Sequence, residues 1–350
     1  MKVPVSIIIP IRNEAANLPR CLNAVAWADE VWVVDSQSTD GSGQIVEQFA
    51  KAESGNLKHE TEDLKPEIGG KGAETETTKS EIVNRKSEME RCGSDVKLVQ
   101  FQFNGIWPKK KNWALENLPF KHEWVFILDA DEVLPPEAEG EFRAIVSQIG
   151  NRKSEIGNEA AGYWINRRFM FMGKWLRHAY YPNWNLRLFK HRLGRYEKLT
   201  DVDTASGDNE VHEHVVVKGK TGRLKCEMDH YAFPSVDVFM EKHNRYSNWE
   251  ARVALDRFLK GSSQSLQSKE VGKLRRLKLF SRRLPFRPLQ RFLYVYLWQR
   301  GFLDGREGWH FARLHAVYEY LCVVKTAELK KQKLENSHKD SNNQETRKPS

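Results

Sequence analysis

The segment Val125-Phe126-Ile127-Leu128-Asp129-Ala130-Asp131-Glu132 runs from an apolar stretch straight into three carboxylates. The apolar part reads as a buried strand, and in an open α/β sheet ligands collect outside the carboxyl ends of the strands. Two aspartates one residue apart at such an edge can both reach a hard divalent cation, and that cation can hold a diphosphate. The competing reading is plainer, because acidic residues after strands also serve turns and helix caps. Other chemistry-bearing residues are spread along the chain: Glu14 after Pro10, Asp35 at the end of a second apolar run, Lys111, Arg187, Glu213 between two histidines, and His230.

These side chains need a scaffold, and the hydrophobic pattern supplies one. Ser6 to Pro10 reads as a strand, Glu14 to Ala26 as a helix and Glu30 to Asp35 as a second strand. The polar turn Ser36 to Gly41 leads into a helix over Gly43 to Ala50. Strand–helix–strand–helix at this spacing predicts a parallel, doubly wound sheet with helices on both faces. Lys51 to Ser94 is rich in Glu, Lys, Thr, Ser and Gly, which predicts a disordered insertion. Its Asn84-Arg85-Lys86-Ser87-Glu88 recurs as Asn151 to Glu155 inside a second polar break, 147–160, and both copies read as linker. Val96 to Phe101 resumes as a strand, Lys111 to Asn117 as a helix, and Trp124 to Asp129 as the carboxylate-tipped strand. Beyond Ala161 the alternation in Tyr163 to Arg167 and Asn185 to Phe189 predicts antiparallel or edge strands. Val236 to Lys260 reads as a helix. The expected divisions are therefore 1–135, 136–250, a basic helical region over 251–332 and a disordered tail over 333–350.

Composition narrows the class. The chain has 350 residues, 40% of them hydrophobic, enough for one large or two modest cores. Cys21, Cys92, Cys226 and Cys322 are far apart and lack C-x-x-C spacing, which argues against a disulfide framework or a zinc site. The amino terminus lacks a signal-peptide pattern, and no run approaches the roughly 18 apolar residues of a spanning helix; the expected location is cytoplasmic. The formal charge is +9, and from Lys273 to Arg300 nine basic residues occur with no acid among them. Such a block points to an anionic partner, membrane surface or nucleic acid.

Taken together, several motifs resemble the family 2 glycosyltransferases of the GT-A fold, in particular the branch that adds glucose or heptose to lipopolysaccharide core. They are Val5 to Glu14 (V-S-I-I-I-P-I-R-N-E), Val33 to Gly41 (V-V-D-S-Q-S-T-D-G), Lys111 to Leu115, Leu128 to Val133 (L-D-A-D-E-V), Arg187-Leu188-Phe189 and Val211-His212-Glu213. The resemblance covers roughly residues 3–250 apart from the insertion. It implies a Rossmann-like, mostly parallel sheet and an inverting, metal-dependent transfer of a hexose, glucose by preference, from a UDP-sugar to a saccharide acceptor. Pro10, Glu14 and Asp35 would line the nucleotide, with helix capping the alternative for Glu14. Asp131 would coordinate Mg2+ or Mn2+ on the diphosphate, and Asp129 would contact ribose or share the metal. His230 would complete the metal shell, a satisfied polar histidine being the alternative. Lys111 would hold this region near the nucleotide, or else be one solvated lysine of the run Lys109 to Lys111. Arg187 would pair with the diphosphate or belong to a structural ion pair. Displacement at the anomeric carbon needs a base for the acceptor hydroxyl; the V-H-E match assigns that to Glu213, with Glu132 the rival.

Trp175, Tyr181 and Trp184 belong to an aromatic group suited to stacking on sugar faces or to filling a core. Asn183, in Tyr181-Pro182-Asn183, stands where the family pattern has a Pro-Asp pair, which puts the acceptor's identity in question. The basic, aromatic segment Arg291 to Trp298 predicts an amphipathic helix lying on an anionic membrane surface, at the inner face of the cytoplasmic membrane and near a lipid-linked acceptor. Two alternatives remain: transfer to polyprenyl phosphate, and nucleic-acid binding by the Lys273 to Arg300 block. The Asp129/Asp131 carboxylates oppose the second, since they repel phosphates unless metal-filled.

Overall fold

The computed structural model describes residues 1–53, 95–105, 107–151, 160–198, 214–260 and 286–345. The elements of the amino-terminal part are β1 (Val3–Ile11), α1 (Leu18–Ala24), β2 (Ala28–Asp35), α2 (Ser42–Glu53), β3 (Asp95–Gln100), α3 (Lys110–Asn117), β4 (Trp124–Ile127), β5 (Glu132–Val133) and α4 (Glu137–Asn151). There follow β6 (Ala160–Phe171), β7 (Lys174–Trp175), β8 (Trp184–Lys190), β9 (Gly194–Tyr196), β10 (Val215–Val217) and β11 (Lys220–Phe233). The carboxyl-terminal part is helical: α5 (Val236–Lys260), α6 (Arg287–Leu293) continuing into a π-turn (Tyr294–Trp298), a 3-10 turn (Gly301–Asp304) and α7 (Gly305–Glu345).

The chain divides into two compact units, the first comprising Met1–Arg168, Pro182–Leu199 and Ala205–Tyr231. Its sheet runs β3-β2-β1-β4-β8-β6-β11-β5. The first four strands are parallel, and β8 joins β4 antiparallel. The α/β class expected from the sequence is therefore present, its parallel half built by the predicted strand–helix crossings. Period-2 alternation sorts the side chains onto two faces. Val3, Val5, Ile7, Ile9 and Ile11 of β1, with Trp124 and Phe126 of β4, pack under α1, α2 and α4. Ile8, Val125 and Ile127 face the other way, onto Ala114 and Leu115 of α3. Both faces being covered, these strands are near-continuous apolar runs, as parallel strands must be.

Boundaries differ from expectation where polar residues bond the backbone. Glu14 to Ala26 was expected to be one helix, but α1 starts only at Leu18. Residues 12–16 form a turn in which Asn13 takes φ 57° and its Oδ1 accepts the Thr39 N–H at 2.8 Å. The expected insertion begins three residues late, because α2 continues to Glu53; residues 54–94 lie outside the described residues. Similarly, α4 carries through Asn151, the first part of the polar break.

The second unit comprises Phe169–Tyr181, Thr200–Thr204 and Ala232–Ser350. Its core is aromatic: Phe311 lies 5.3 Å from Phe169 and 5.4 Å from Phe171 between ring centroids, and His243 stacks on Phe239 at 3.7 Å. Asp304, buried, accepts the backbone N–H groups of Arg177, His178 and Ala179 and so ties the β7–β8 connection to the 3-10 turn. Gly308 is required where α7 passes the 3-10 turn, since a Cβ there would sit 1.9 Å from the Gly301 carbonyl oxygen. The helix over Val236–Lys260 matches expectation. The segment from Lys333, expected as a disordered tail, instead continues α7 to Glu345. Its Lys, Gln, Glu and Leu residues are good helix formers, so a helix already nucleated propagates through them.

Candidate functional site

The parallel register places the carboxyl ends of three strands side by side: Ile11 is opposite Asp35, and Ile8 is opposite Ile127. The loops leaving β1, β2 and β4 therefore share one edge, and all the residues described next belong to the first unit. At the β2 end, Asp35 is buried; its Oδ1 accepts Ser38 N–H at 3.0 Å and its Oδ2 accepts Gln100 Nε2 at 3.0 Å. Asp40, the residue that the Ser-Thr-Asp-Gly sequence marks as a turn former, accepts the Ala15 N–H at 2.9 Å and the Ser42 hydroxyl at 2.5 Å. Glu14 accepts from Asn17 Nδ2 at 2.8 Å, and its carbonyl accepts the Asn17 and Leu18 N–H groups; the N-cap of α1 is Asn17, with no side-chain capping bond. Pro10 is the penultimate residue of β1, beside Val34.

The β4 end holds the charged centre. Asp129 is gripped by two cations: Lys111 Nζ donates to Oδ1 at 2.8 Å and Arg187 to Oδ2 at 2.6 Å. Burial pushes the Asp129 carboxyl up, but Arg187 and Lys111 outweigh it and hold the group well below the usual carboxylate range. The same pairing raises Lys111 and Arg187 above their ordinary values against the burial that lowers them. Glu132, fully buried, accepts from Arg187 at 2.8 Å and Arg167 at 3.2 Å, and its other oxygen accepts the Asp129 N–H at 3.0 Å. Both oxygens of Glu132, the rival candidate for the base, are thus engaged by these partners. The solvated-lysine alternative for Lys109 to Lys111 fails: Lys109 and Lys110 are buried, and Lys110 Nζ donates to the Ile11 carbonyl at 2.9 Å.

Asp131 points elsewhere. His230, brought opposite Glu132 by the antiparallel pairing of β11 with β5, places Nε2 3.6 Å from Asp131 Oδ1. Both side chains retain some exposure, 13% for His230 and 14% for Asp131. The adjacent Tyr231 N–H donates to the Asp131 carbonyl at 2.8 Å, and Arg20 lies over the Tyr231 ring at 3.8 Å. Asn183 Oδ1 accepts from Arg167 at 3.3 Å and from Asn185 Nδ2 at 2.8 Å.

Sequence reasoning thus singled out Asp129, Asp131, Lys111, Arg187 and His230, which the fold gathers at one edge. It missed Arg167 and Lys110. Arg167 lies in an alternating strand segment whose partners are set by long-range pairing, so no local signal marked it. Glu213 and His212 lie outside the described residues. Trp184 is in the first unit with Arg223 over its ring at 4.8 Å. Trp175 and Tyr181 are in the second unit, edge to face at 5.5 Å. Among the described residues no group of three or more His, Cys, Asp and Glu is clustered as a ready metal cage.

Comparison with known proteins bears on the same elements. Residues 6–63 match the model of the glycosyl transferase family 2. The chain is 24% identical over 330 residues to the lipopolysaccharide core biosynthesis glycosyltransferase LpsC of Rhizobium meliloti, spanning 93% of this chain and 92% of that protein. A 54-residue stretch is 48% identical to glycosyltransferase AglE of Haloferax volcanii, covering 14% of this chain and 18% of the relative. Among solved structures, the mannosyltransferase PcManGT from Pyrobaculum calidifontis, in complex with GDP-Man and Mn2+, is 14% identical with a TM-score of 0.42, over 93% of this chain and 88% of that one. The matched stretch takes in most of β1, then α1, β2, the Asp35 turn and α2, the elements that open the first unit.

Proposed function

We propose that this protein transfers a hexose, glucose by preference, from a UDP-sugar to a saccharide acceptor carried on a lipid, as part of lipopolysaccharide or related polysaccharide assembly. One observation carries the reading: at the carboxyl edge of β4 the two aspartates have separate partners. Asp129 is held as an anion by Lys111 and Arg187, while Asp131 faces His230 with some exposure. An oxygen and an imidazole nitrogen at that spacing are a donor set that fits Mg2+ or Mn2+, the diphosphate supplying further oxygens. When bound, such a cation neutralises charge developing on the departing nucleoside diphosphate.

The remaining work falls to the chain's own groups. Lys111 and Arg187 are cations within reach of the same edge, placed to favour an anionic ligand once Asp129 has oriented them. Asp35 and Glu14, at the ends of β2 and β1, are carboxylates able to accept from the N–H and O–H groups of a nucleoside. Glu213, by its V-H-E setting, takes the proton of the acceptor hydroxyl as the new oxygen–C1 bond forms and the C1–oxygen bond to the diphosphate breaks. UDP leaves with the electron pair, and the anomeric configuration inverts. Trp175, Tyr181 and Trp184 are the aromatic surfaces offered to the acceptor. Among the described residues no helix is long and apolar enough to cross a membrane; the reading places the protein peripherally on the inner face of the cytoplasmic membrane.

The test is a panel of UDP- and GDP-sugars with Mn2+, Mg2+ or EDTA, read as nucleotide release. Turnover should require a UDP-sugar and a divalent ion, and Asp131→Asn should lower kcat by ~10²-fold or more, the scale on which removing a transition-state charge stabiliser acts. Full turnover in Asp131→Ala would overturn the proposal.

A further inference from the structure

The helix α6 and the π-turn after it are apolar on two sides. One side faces the core: Val295 is buried, while Phe292 and Tyr296 stack at 5.3 Å and meet Trp309 edge on at 5.2 and 5.1 Å. The other side faces solvent. Phe286, Leu289, Leu293 and Leu297 recur at helical spacing along it, and Trp298 ends it. Phe286 is 78% and Trp298 81% exposed, and Phe302 and Leu303 of the 3-10 turn are also exposed. Large aromatic and leucine side chains grouped in this way are uncommon on a surface that meets only water.

The charges within this segment are mostly basic, and Arg287 is paired with Glu319 of α7. Arg300 and Arg306 are exposed, Arg291 stands over the Tyr294 ring, and between residues 286 and 306 the sole acid is Asp304, buried and occupied with the β7–β8 connection. We infer that Phe286, Leu289, Leu293, Leu297, Trp298 and Phe302 form a face that enters the interfacial layer of an anionic lipid bilayer, with Arg300 and Arg306 against the headgroups. A helix of this length lies in the interface plane and does not span it. Tryptophan and arginine favour that boundary, where the ring is half in hydrocarbon and the guanidinium reaches phosphate. A second copy of the chain fits less well, because self-pairing of the face would set arginines against arginines. This surface deepens the proposed transfer to a lipid-linked acceptor by naming what holds the protein to the lipid.

The experiment is sedimentation of the full chain with vesicles of phosphatidylglycerol and phosphatidylethanolamine, or of phosphatidylcholine alone, without donor or metal. The expected result is at least tenfold more protein pelleted with the anionic vesicles. A Leu293→Gln/Leu297→Gln/Trp298→Gln variant should lose that binding while keeping its far-ultraviolet circular dichroism. Arg300→Glu/Arg306→Glu should erase the preference for phosphatidylglycerol. Absence of binding to anionic vesicles overturns the inference. So does unchanged binding by the triple-glutamine variant, or a concentration-dependent dimer that this variant abolishes. Nucleotide release with a water-soluble acceptor, measured on the same variants, should be unchanged. Vesicle binding can therefore fail while the transferase reading stands, and the reverse.

Discussion

At the scale of single residues, Arg187 joins two carboxylates that have little other compensation. Replacing it with Ala leaves, among the described residues, Lys111 against Asp129 and Arg167 against Glu132. Breaking a buried pair outright costs about 3–5 kcal/mol; here each carboxylate loses one of two cations, so urea unfolding should report a loss of up to that order. The sign with pH follows from the depressed Asp129 carboxyl. Its stabilisation is fully present above the unfolded value of about 3.9 and is lost only as pH falls through the lower folded value. The penalty of Arg187→Ala should therefore be large at pH 7 and shrink in acid, where the Asp129 carboxyl can take a proton. Glu132→Gln makes a second prediction. It should lower the midpoint of unfolding and, on the proposed assignment of the base to Glu213, leave the limbs of the pH–rate profile in place; a shifted acidic limb, the side on which a general base is lost by protonation, would contradict that assignment. The resemblance to family motifs singled out Asp129, Asp131, Lys111, Arg187 and His230, and the fold sets Lys111 and Arg187 against Asp129 and His230 beside Asp131. Arg167 and Lys110 were not singled out. Both act on partners brought close only when β6 meets β8 or α3 meets β1, and nothing within a few residues of either reveals the partner.

At the scale of elements, close approach of backbones sets what the sequence tolerates. Gly308 lets the first turn of α7 lie against the Gly301 carbonyl. Gly308→Ala should destabilise the second unit by at least the ~1–3 kcal/mol typical of overpacking, because the obstructing atom is backbone and cannot turn aside. Thermal unfolding followed by near-ultraviolet circular dichroism would register it. Asn112 anchors α3 to β9 by donating to the Tyr196 carbonyl and accepting its N–H, both at 2.9 Å. Asn112→Ala should cost about 1–3 kcal/mol by leaving two buried backbone groups unpaired. The elements themselves were largely legible: continuous apolar runs marked β1, β2 and β4, alternation marked parts of β6 and β8, and Val236 to Lys260 read as the helix α5. The late start of α1 was not, since the side chains that divert residues 12–16 belong to the Ser38 to Ser42 turn. The extent of α7 was missed for another reason. Polar composition alone does not distinguish an exposed helix from a tail.

At the scale of the whole molecule, the two units should respond differently to acid. In the second, burial lowers His243 to about 4 and His315 well below its ordinary value, with Arg291 adding to both. These imidazoles are folded as neutral groups, so the unfolded chain binds more protons between about pH 6.5 and 4 and stability falls as pH drops through that window. Each such histidine contributes a slope of about 1.4 kcal/mol per pH unit there. His315→Phe should flatten the decline seen by calorimetry between pH 6.5 and 4.5, whereas the first unit, relying on depressed Asp129, should hold until lower pH. One property of the first sheet reaches beyond stability. β2 lies between β1 and β3 with both ladders parallel, Asp35 standing opposite Ile11 on one side and Gln100 on the other, so the carboxylate that ends β2 is fixed in place by two neighbouring strands before any ligand arrives.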